Sequence, residues 1–138
     1  MHRSAWTWKE GRLPKQLALE TATRFEIGLY EAALEGEPGN EELLVSLDEL
    51  YGKKGFVEKG LQVELKLLQI RPKDPWCHYK VALSQTLLGQ IDPAFQSLHR
   101  ALQLGYSVES LRKDPGLENL RKDRRYEEML RRFQNLKG

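Results

Sequence analysis

The side chains that could do chemistry are few and scattered along the chain. The three histidines, His2, His78 and His99, form no motif, and Cys77 is the one cysteine. Cys77 and His78 are adjacent, so on a helix their side chains point about 100° apart and do not form a nucleophile–base pair. A single cysteine also excludes an internal disulfide and a cysteine-rich metal site. The sequence therefore predicts no enzyme active site, no metal and no cofactor.

Two further segments have residue types that could bind or react, but their context argues against it. Glu41, Glu42, Asp48 and Glu49 crowd one stretch, and nothing near them in sequence marks one as a perturbed acid. The segment Gly52–Gly55 reads Gly-Lys-Lys-Gly but joins two helical patterns, whereas a phosphate loop joins a strand to a helix. Neither acid catalysis nor phosphate binding is predicted.

The composition is that of one soluble globular domain. The chain has 138 residues and a mass of 16.0 kDa, with 40% hydrophobic and 30% charged residues. Its longest uncharged stretch, residues 81–91, is too short to cross a bilayer. Because the first residues lack an apolar signal segment and only one cysteine is present, we expect a cytoplasmic protein.

Charge is unevenly distributed along the sequence. Residues 1–19 carry +3, residues 20–64 carry −7 and residues 65–138 carry +6, which leaves a net charge of +2. Opposite charge on two parts of one chain favours head-to-tail association between copies. Solvated helix faces that happen to differ in sign produce the same distribution, and both interpretations stay open.

Hydrophobic and small residues repeat along the chain with an offset of 34, so that residues 41–74 align with residues 75–108. The matched pairs are Leu47 and Val81, Gly55 and Gly89, Val57 and Ile91, Gly60 and Ala94, Leu61 and Phe95, and Leu68 and Leu102. A partial third copy lies upstream at Tyr30, Ala33, Leu34 and Pro38. This self-similarity predicts a repeat architecture.

Each repeat has the pattern of two helices joined by a short turn. Asn40 and Asp74 stand where they can cap the first helix of each unit, and the Asp92-Pro93 pair has the same form. Gly55 can adopt the left-handed conformation that ends a helix. Apolar residues recur at helical spacing through both helices of the first unit. They are Leu43, Leu44, Leu47, Leu50, Tyr51, Val57, Leu61, Leu65 and Leu68.

These residues resemble those of the tetratricopeptide repeat (TPR) family, in particular small bacterial members. The matching places in one unit are Leu47, Tyr51, Gly55, Gly60, Leu67 and Pro72. In the other unit they are Val81, Ala82, Gly89, Ala94, Leu98, Ala101 and Leu102. Glu64 departs from the pattern, since its place is aromatic or apolar in the family.

The resemblance implies an all-α fold, a right-handed α-solenoid of helix–turn–helix repeats with a C-terminal capping helix. As one domain, the chain would divide into an N-terminal segment (1–14), a partial repeat (15–40), two repeats (41–74 and 75–108) and a helical cap (109–138). The concave groove of such a solenoid is lined by the first helix of each unit. By resemblance, the groove residues are Glu42, Val45, Glu49, Trp76, Tyr79, Leu83 and Thr86.

Trp76, Tyr79 and Leu83 would form one aromatic and apolar face on a helix. Either this face is open and docks a peptide or partner helix, or the N-terminal segment or the cap covers it. Glu42 and Glu49 would favour a basic ligand. Family members that hold a C-terminal carboxylate have lysine and asparagine in the groove, whereas this chain has Val45, Glu49, Tyr79 and Leu83, so that activity is not expected.

The two flanks of the repeats are predicted to close the array. Residues 15–36 have the pattern of one long helix with a stripe of Ala18, Ala22, Phe25, Leu29 and Ala33. Trp6 and Trp8 precede it and either cover the end of the stack or anchor another protein. Asp123 can cap a last helix whose apolar residues are Tyr126, Met129, Leu130, Phe133 and Leu136.

That last segment is also basic, with nine basic and five acidic residues in 111–138. A solvated capping face explains this better than nucleic acid or a membrane surface, because Glu127 and Glu128 interrupt the basic run.

The function expected from these features is protein–protein interaction. The chain would act as an adaptor or assembly factor, a scaffold whose partner is a protein or peptide of basic or apolar character. The alternatives are a self-associating structural subunit, that is, a homo-oligomer, and a chaperone that masks an apolar segment of one client.

Overall fold

The fold of this chain is all-α. The computed structural model describes residues 15–137, with side chains described for residues 21–135, and this part contains eight α-helices, one 3₁₀ turn and no strand. The helices are α1 (Lys15–Gly36), α2 (Glu41–Lys54), α3 (Val57–Ile70), α4 (Pro75–Leu87), α5 (Ile91–Gln103), α6 (Val108–Lys113), α7 (Glu118–Arg121) and α8 (Arg124–Lys137), with the 3₁₀ turn at Pro115–Leu117. Trp6 and Trp8 lie outside the described residues.

The starts of the central helices obey the 34-residue offset. Helices α2 and α4 begin 34 residues apart, as do α3 and α5. The side chains of Asn40 and Asp74 accept hydrogen bonds from backbone N–H groups in the first turns of α2 and α4, as predicted. Gly55 and Gly89, also 34 apart, have positive φ angles of 73° and 77°, which is the left-handed conformation that ends a helix.

The prediction that Asp92 caps a helix is wrong. Helix α5 begins at Ile91, its N-cap residue is Gln90, and Asp92 lies inside the first turn. Gly89 turns the chain so early that the helix starts one residue before the Asp92-Pro93 pair. Asp92 is still well placed there, since a carboxylate in the first turn interacts favourably with the helix dipole.

Consecutive helices from α1 to α5 pack against one another around two apolar clusters. The first cluster joins α1, α2, α3 and the start of α4 through Ile27, Leu44, Leu47, Leu50, Tyr51, Val63, Leu67 and Cys77. The second joins α4 and α5 to the C-terminal segment through Ala82, Ala94, Phe95, Leu98, Leu102, Leu111, Leu117, Leu120, Tyr126, Met129 and Leu130. Helix α4 contributes to both clusters and connects the two halves.

The C-terminal segment closes the second cluster, as the apolar pattern of the last helix predicts. Tyr126, Met129 and Leu130 are buried and Phe133 packs at the edge of the cluster, while the side chain of Leu136 is outside the described part. Asp123 accepts a hydrogen bond from the backbone N–H of Arg125, in the first turn of α8. Tyr126 Oη donates to the carbonyl of Leu111 at 2.8 Å and so ties α8 to α6.

Helix α1 packs with a different face from the one that its apolar stripe indicates. The helix spans Lys15–Gly36, in agreement with the predicted range. Among its described side chains, Ile27 is buried with Tyr30 and Leu34 packed beside it, whereas Phe25 is 68% exposed and Leu29 57% exposed. A helical period of 3.6 places positions 27, 30 and 34 on a side well away from positions 25 and 29. The described part of α1 therefore has a second, uncovered apolar face.

Candidate binding face on helices α2 and α4

The residues predicted to line a groove lie on α2 and α4, with very different accessibility. On α2, Glu42 and Glu49 are exposed and Val45 is half-buried against the first cluster. On α4, Trp76 is 39% exposed, Tyr79 and Leu83 are half-buried, and Thr86 is fully buried.

An ion pair connects the two helices at this face. Lys80 Nζ on α4 lies 3.3 Å from Asp48 Oδ2 on α2. Val45 and Glu49 lie within one turn of Asp48, and Trp76 lies one turn before Lys80. The ammonium of Lys80 also lies 5.9 Å from the centre of the Trp76 ring, a cation–π contact that orients the indole. Val45 and Glu49 therefore lie on one of the two helices that this contact joins, and Trp76 lies on the other.

The C-terminal segment covers the rest of the predicted face. Tyr79 Oη donates a hydrogen bond to the carboxylate of Asp114, and the Tyr79 ring stacks on Tyr106 with 4.5 Å between ring centres. Burial and this neighbouring carboxylate raise the pKa of Tyr79, so its hydroxyl stays protonated and donates. For Tyr79, the alternative of cover by the chain itself is the one that the structure favours.

Leu83 is covered by the same segment through a close approach of its backbone. A Cβ added at Gly116 would lie 2.5 Å from Leu83 Cδ1, so the 3₁₀ turn comes near α4 because residue 116 has no side chain. Asp114 Oδ1 accepts from the Gly116 N–H at 2.8 Å and holds the turn in place.

Thr86 does not face a groove at all. Its hydroxyl donates to the carbonyl of Ala82 at 2.7 Å, one turn earlier on the same helix, and the residue has no exposed surface. A partner therefore cannot contact Thr86 in this structure. The resemblance assigns this position to the groove, but here it lies within the helix packing.

A buried polar cluster, which the sequence analysis missed, lies directly behind the exposed face. Asp48 and Glu64 are both buried, and Lys80 Nζ reaches Asp48 at 3.3 Å and Glu64 Oε2 at 3.9 Å. Ser84 Oγ donates to Glu64 Oε1 at 2.6 Å. The cluster joins α2, α3 and α4, and in the described chain no buried side-chain polar atom is left without a hydrogen bond.

The electrostatics of this cluster make Glu64 a neutral acid at physiological pH. Burial, reinforced by the facing Asp48 carboxylate, raises the pKa of Glu64 to about 9, against the opposing effects of Ser84 and Lys80. The protonated Glu64 donates a hydrogen bond to Asp48, and Lys80 Nζ lies 3.3 Å from Oδ2 of the same Asp48. The arrangement adds charged and hydrogen-bonded contacts to the apolar packing that joins these three helices.

The 34-residue offset carried a signal for this cluster. The places of Asp48 and Glu64 in the second repeat are taken by Ala82 and Leu98, which are both fully buried. Two carboxylates at places whose repeat equivalents are small or apolar predict a buried acidic pair.

The Cys77–His78 pair is arranged for packing. Cys77 is buried, and its burial raises the pKa of the thiol to about 11, so the reactive thiolate is not populated at neutral pH. His78 Nε2 lies 2.8 Å from the carbonyl oxygen of Pro72 and donates to it. Among the residues whose side chains are described, no group of three or more histidine, cysteine or acidic residues is placed to hold a metal ion.

Two of the four arginines on α8, Arg125 and Arg131, are paired with carboxylates. Arg125 lies 2.8 Å from both Asp92 and Asp123, and its guanidinium lies over the Phe95 ring. Arg131 lies 3.9 Å from Glu127. Half of the arginine charge of α8 is therefore paired within the chain, in part with α5 through Asp92. Within residues 15–137, no helix combines the length and apolar character that crossing a membrane requires.

Neither the protein-family models nor the curated proteins contain a match to this chain.

Proposed function

We propose that this chain is a TPR-like, right-handed helical solenoid that binds a segment of another protein on the α2–α4 face. The binding residues are Glu42, Val45, Glu49 and Trp76. The repeat character is supported by the 34-residue offset of the helix starts and of the left-handed glycines Gly55 and Gly89. Stacked helical repeats present such extended faces and bind peptides and helices on them.

The observation that carries the proposal is the exposure of Trp76. Its two apolar neighbours on α4 are covered by the C-terminal segment, yet Trp76 keeps 39% of its surface accessible. The Lys80 ammonium also lies 5.9 Å from the centre of its ring, a cation–π contact. An oriented, partly exposed tryptophan offers a large contact area with little loss of side-chain entropy, which makes tryptophan common among residues that dominate binding energy.

The charge around Trp76 indicates the chemistry of the partner. Glu42 and Glu49 are exposed carboxylates. The ammonium of Lys80 forms an ion pair with Asp48. We expect this face to be apolar at Trp76 on α4 and acidic at Glu42 and Glu49 on α2. A segment with an aliphatic or aromatic residue next to lysine or arginine would bury its side chain on Trp76 and place its charge near the glutamates.

A displayed library of random peptides, selected against the full chain, tests this proposal. We expect the selected peptides to combine apolar and basic residues. Trp76→Ala should weaken their binding by roughly tenfold or more, since loss of a central aromatic contact costs about 2 kcal/mol. Glu49→Lys should also weaken the binding of these basic peptides, and the loss of affinity relative to the parent should be larger at low salt than at high salt. Leu87→Ala, an exposed apolar residue on the last turn of α4, is the matched control and should leave binding unchanged.

Two results would contradict the proposal. Peptides whose affinity is equal for the parent and for a folded Trp76→Ala variant would bind elsewhere on the chain. A sedimentation mass well above 16.0 kDa that falls with added salt, together with no selected peptide, would support the self-associating subunit instead.

A further inference from the structure

Helix α1 has an apolar face that lies open in the described chain. We define the outward face of α1 by the exposed apolar and small residues on the side away from Ile27: Ala22, Phe25, Leu29, Ala33 and Gly36. Phe25 and Leu29 have the highest exposed fractions among the large hydrophobic residues described. A Cβ built at Gly36 would meet no atom within 4 Å, so the end of the face is open as well. Exposed apolar area of this kind, on a face separate from the one that packs on the core, marks a contact surface.

The outward face is complementary to itself when two copies run antiparallel. We propose that two copies of the chain pair through the outward faces of α1, related by a two-fold axis at Leu29. In such a pair, the residue four positions before Leu29 lies opposite the residue four positions after it in the second copy. Phe25 therefore lies opposite Ala33 of the second copy, so the bulky ring meets a small side chain. Ala22 lies opposite Gly36 in the same way, which lets the two helices approach closely.

Charged side chains at the edge of the face match in the same register. Arg24 and Glu35 are 11 residues apart, which is about three full helical turns, so both lie along one edge of the outward face. An antiparallel two-fold pair places like edges side by side, and Arg24 of one copy then lies beside Glu35 of the other. Both side chains are exposed, and neither forms an ion pair with another described residue. Two Arg24–Glu35 pairs would form, one on each side of the axis.

The other acidic side chains of α1 are placed where their mutual repulsion is weak. Glu26 lies on the opposite edge, three residues before Leu29, so the two copies of Glu26 are separated by about 9 Å along the helix axes. Because the Debye length at physiological salt is about 8 Å, this repulsion is largely screened. Glu31 is directed towards the body of its own chain, where it contacts Tyr51 and Lys59.

The proposed contact is short, so the dimer should be weak. From Ala22 to Gly36 it extends roughly 21 Å along each helix, and one helix per copy buries an area at the low end of specific interfaces. We expect a dissociation constant on the order of 1 to 100 μM. Below that concentration the chain is a monomer, and α1 is held by its packed face alone. The residues proposed to bind a partner on α2 and α4 take no part in this pairing.

Sedimentation equilibrium of the full chain, from about 1 to 500 μM, tests the pairing. We expect a mass that rises with concentration from 16.0 kDa towards twice that value and that persists at about 1 M salt, because the contact is centred on apolar residues. Phe25→Asp combined with Leu29→Asp should hold the mass at 16.0 kDa, with helical circular dichroism unchanged because both residues lie outside the clusters. Leu87→Asp, on another exposed apolar residue, is the matched control and should sediment like the parent.

Charge reversal tests the antiparallel arrangement itself. Arg24→Glu and Glu35→Arg should each raise the dissociation constant by roughly fivefold or more, since each places like charges together on both sides of the axis. The variant with both changes should return to the parent value, because the pairs are restored with their signs exchanged.

The proposal is overturned if the parent stays at 16.0 kDa over the whole concentration range, or if its mass falls to that value in high salt. It is equally overturned if the Phe25 and Leu29 double variant associates like the parent. A charge-exchanged variant that associates no better than either single reversal would exclude the antiparallel pair at Leu29.

Discussion

At the scale of single residues, the buried acid Glu64 determines how stability should depend on pH. Its pKa is raised from an ordinary 4.5 to about 9, so the folded state binds a proton that the unfolded state releases over this range. The contribution of Glu64 to stability is complete below pH 4.5 and declines as pH rises towards 9. At neutral pH, keeping Glu64 protonated costs about 3 kcal/mol of folding free energy.

We predict that Glu64→Gln raises the free energy of unfolding at pH 7 by about 1–3 kcal/mol, because an amide keeps the hydrogen bonds without having to take up a proton. The gain should shrink towards pH 4.5 and grow towards pH 9. Urea unfolding at a series of pH values measures it. Glu58→Gln, on an exposed residue of the same helix, should show no such trend. Equal pH profiles for the parent and Glu64→Gln would mean that Glu64 is ionised in the folded state.

Residues whose role the sequence predicts interact with near neighbours in the chain. Residues whose role it does not predict interact with partners that are distant in the chain. Asn40, Asp74 and Gly55 act on the backbone within a few positions, so their identity and place predict their role. The partners of Tyr79 and Glu64 lie 35 and 20 residues away, at Asp114 and Ser84. Such pairs become visible only when the packing of the helices is known.

At the scale of elements, the C-terminal segment depends on one arginine. The short helix α6 ends at Lys113, and the Arg121 guanidinium donates to the carbonyls of Leu111 and Arg112 at 2.9 Å and to that of Asp114. Carbonyl groups at a helix end lack partners within the helix, so a planar group with several donors satisfies several of them together. The ring of Tyr126 lies under the same guanidinium.

We predict that Arg121→Ala lowers the free energy of unfolding by about 2 kcal/mol, since it leaves these carbonyls without their charged donor. Arg121→Lys should recover only part of this loss, because an ammonium does not reproduce the planar set of donors. Thermal or urea unfolding measures both, with the exposed Lys122→Ala as control. A loss for Arg121→Ala no greater than that for Lys122→Ala would show that water replaces the guanidinium without cost.

Helix α1 shows what an apolar pattern predicts about an element and what it does not predict. The sequence predicts the helix and its range, but the helix has two apolar faces, one through Ile27 and one through Phe25 and Leu29. A hydrophobic pattern shows which faces need cover and not which neighbour supplies it. The order in which helices stack decides that Ile27 joins the first cluster with residues of α2 and α3, and this order is a property of the assembled chain.

At the scale of the whole molecule, the two ends of the array differ in how firmly they are held. Helix α4 contributes to both clusters, and α5 packs against both α4 and α8. Among the described side chains of α1, from residue 21 on, Ile27 is the one that is buried; Tyr30 and Leu34 pack beside it, and Glu31 makes polar contacts with Tyr51 and Lys59. In an array whose elements contact mainly their neighbours, stability then falls from the centre towards the less packed end.

We therefore predict that hydrogen exchange is slowest in α4 and α5 and fastest in α1, and that the two ends respond separately to mutation. Ile27→Ala removes the buried contact of α1, worth about 2 kcal/mol or more, and should speed exchange in α1 while α4 and α5 keep their protection. Leu98→Ala, in the second cluster, should speed exchange throughout, because α5 supports the central packing. If Ile27→Ala lowers protection equally from α1 to α5, the helices unfold as one cooperative unit, and α1 is as firmly coupled to the array as its centre.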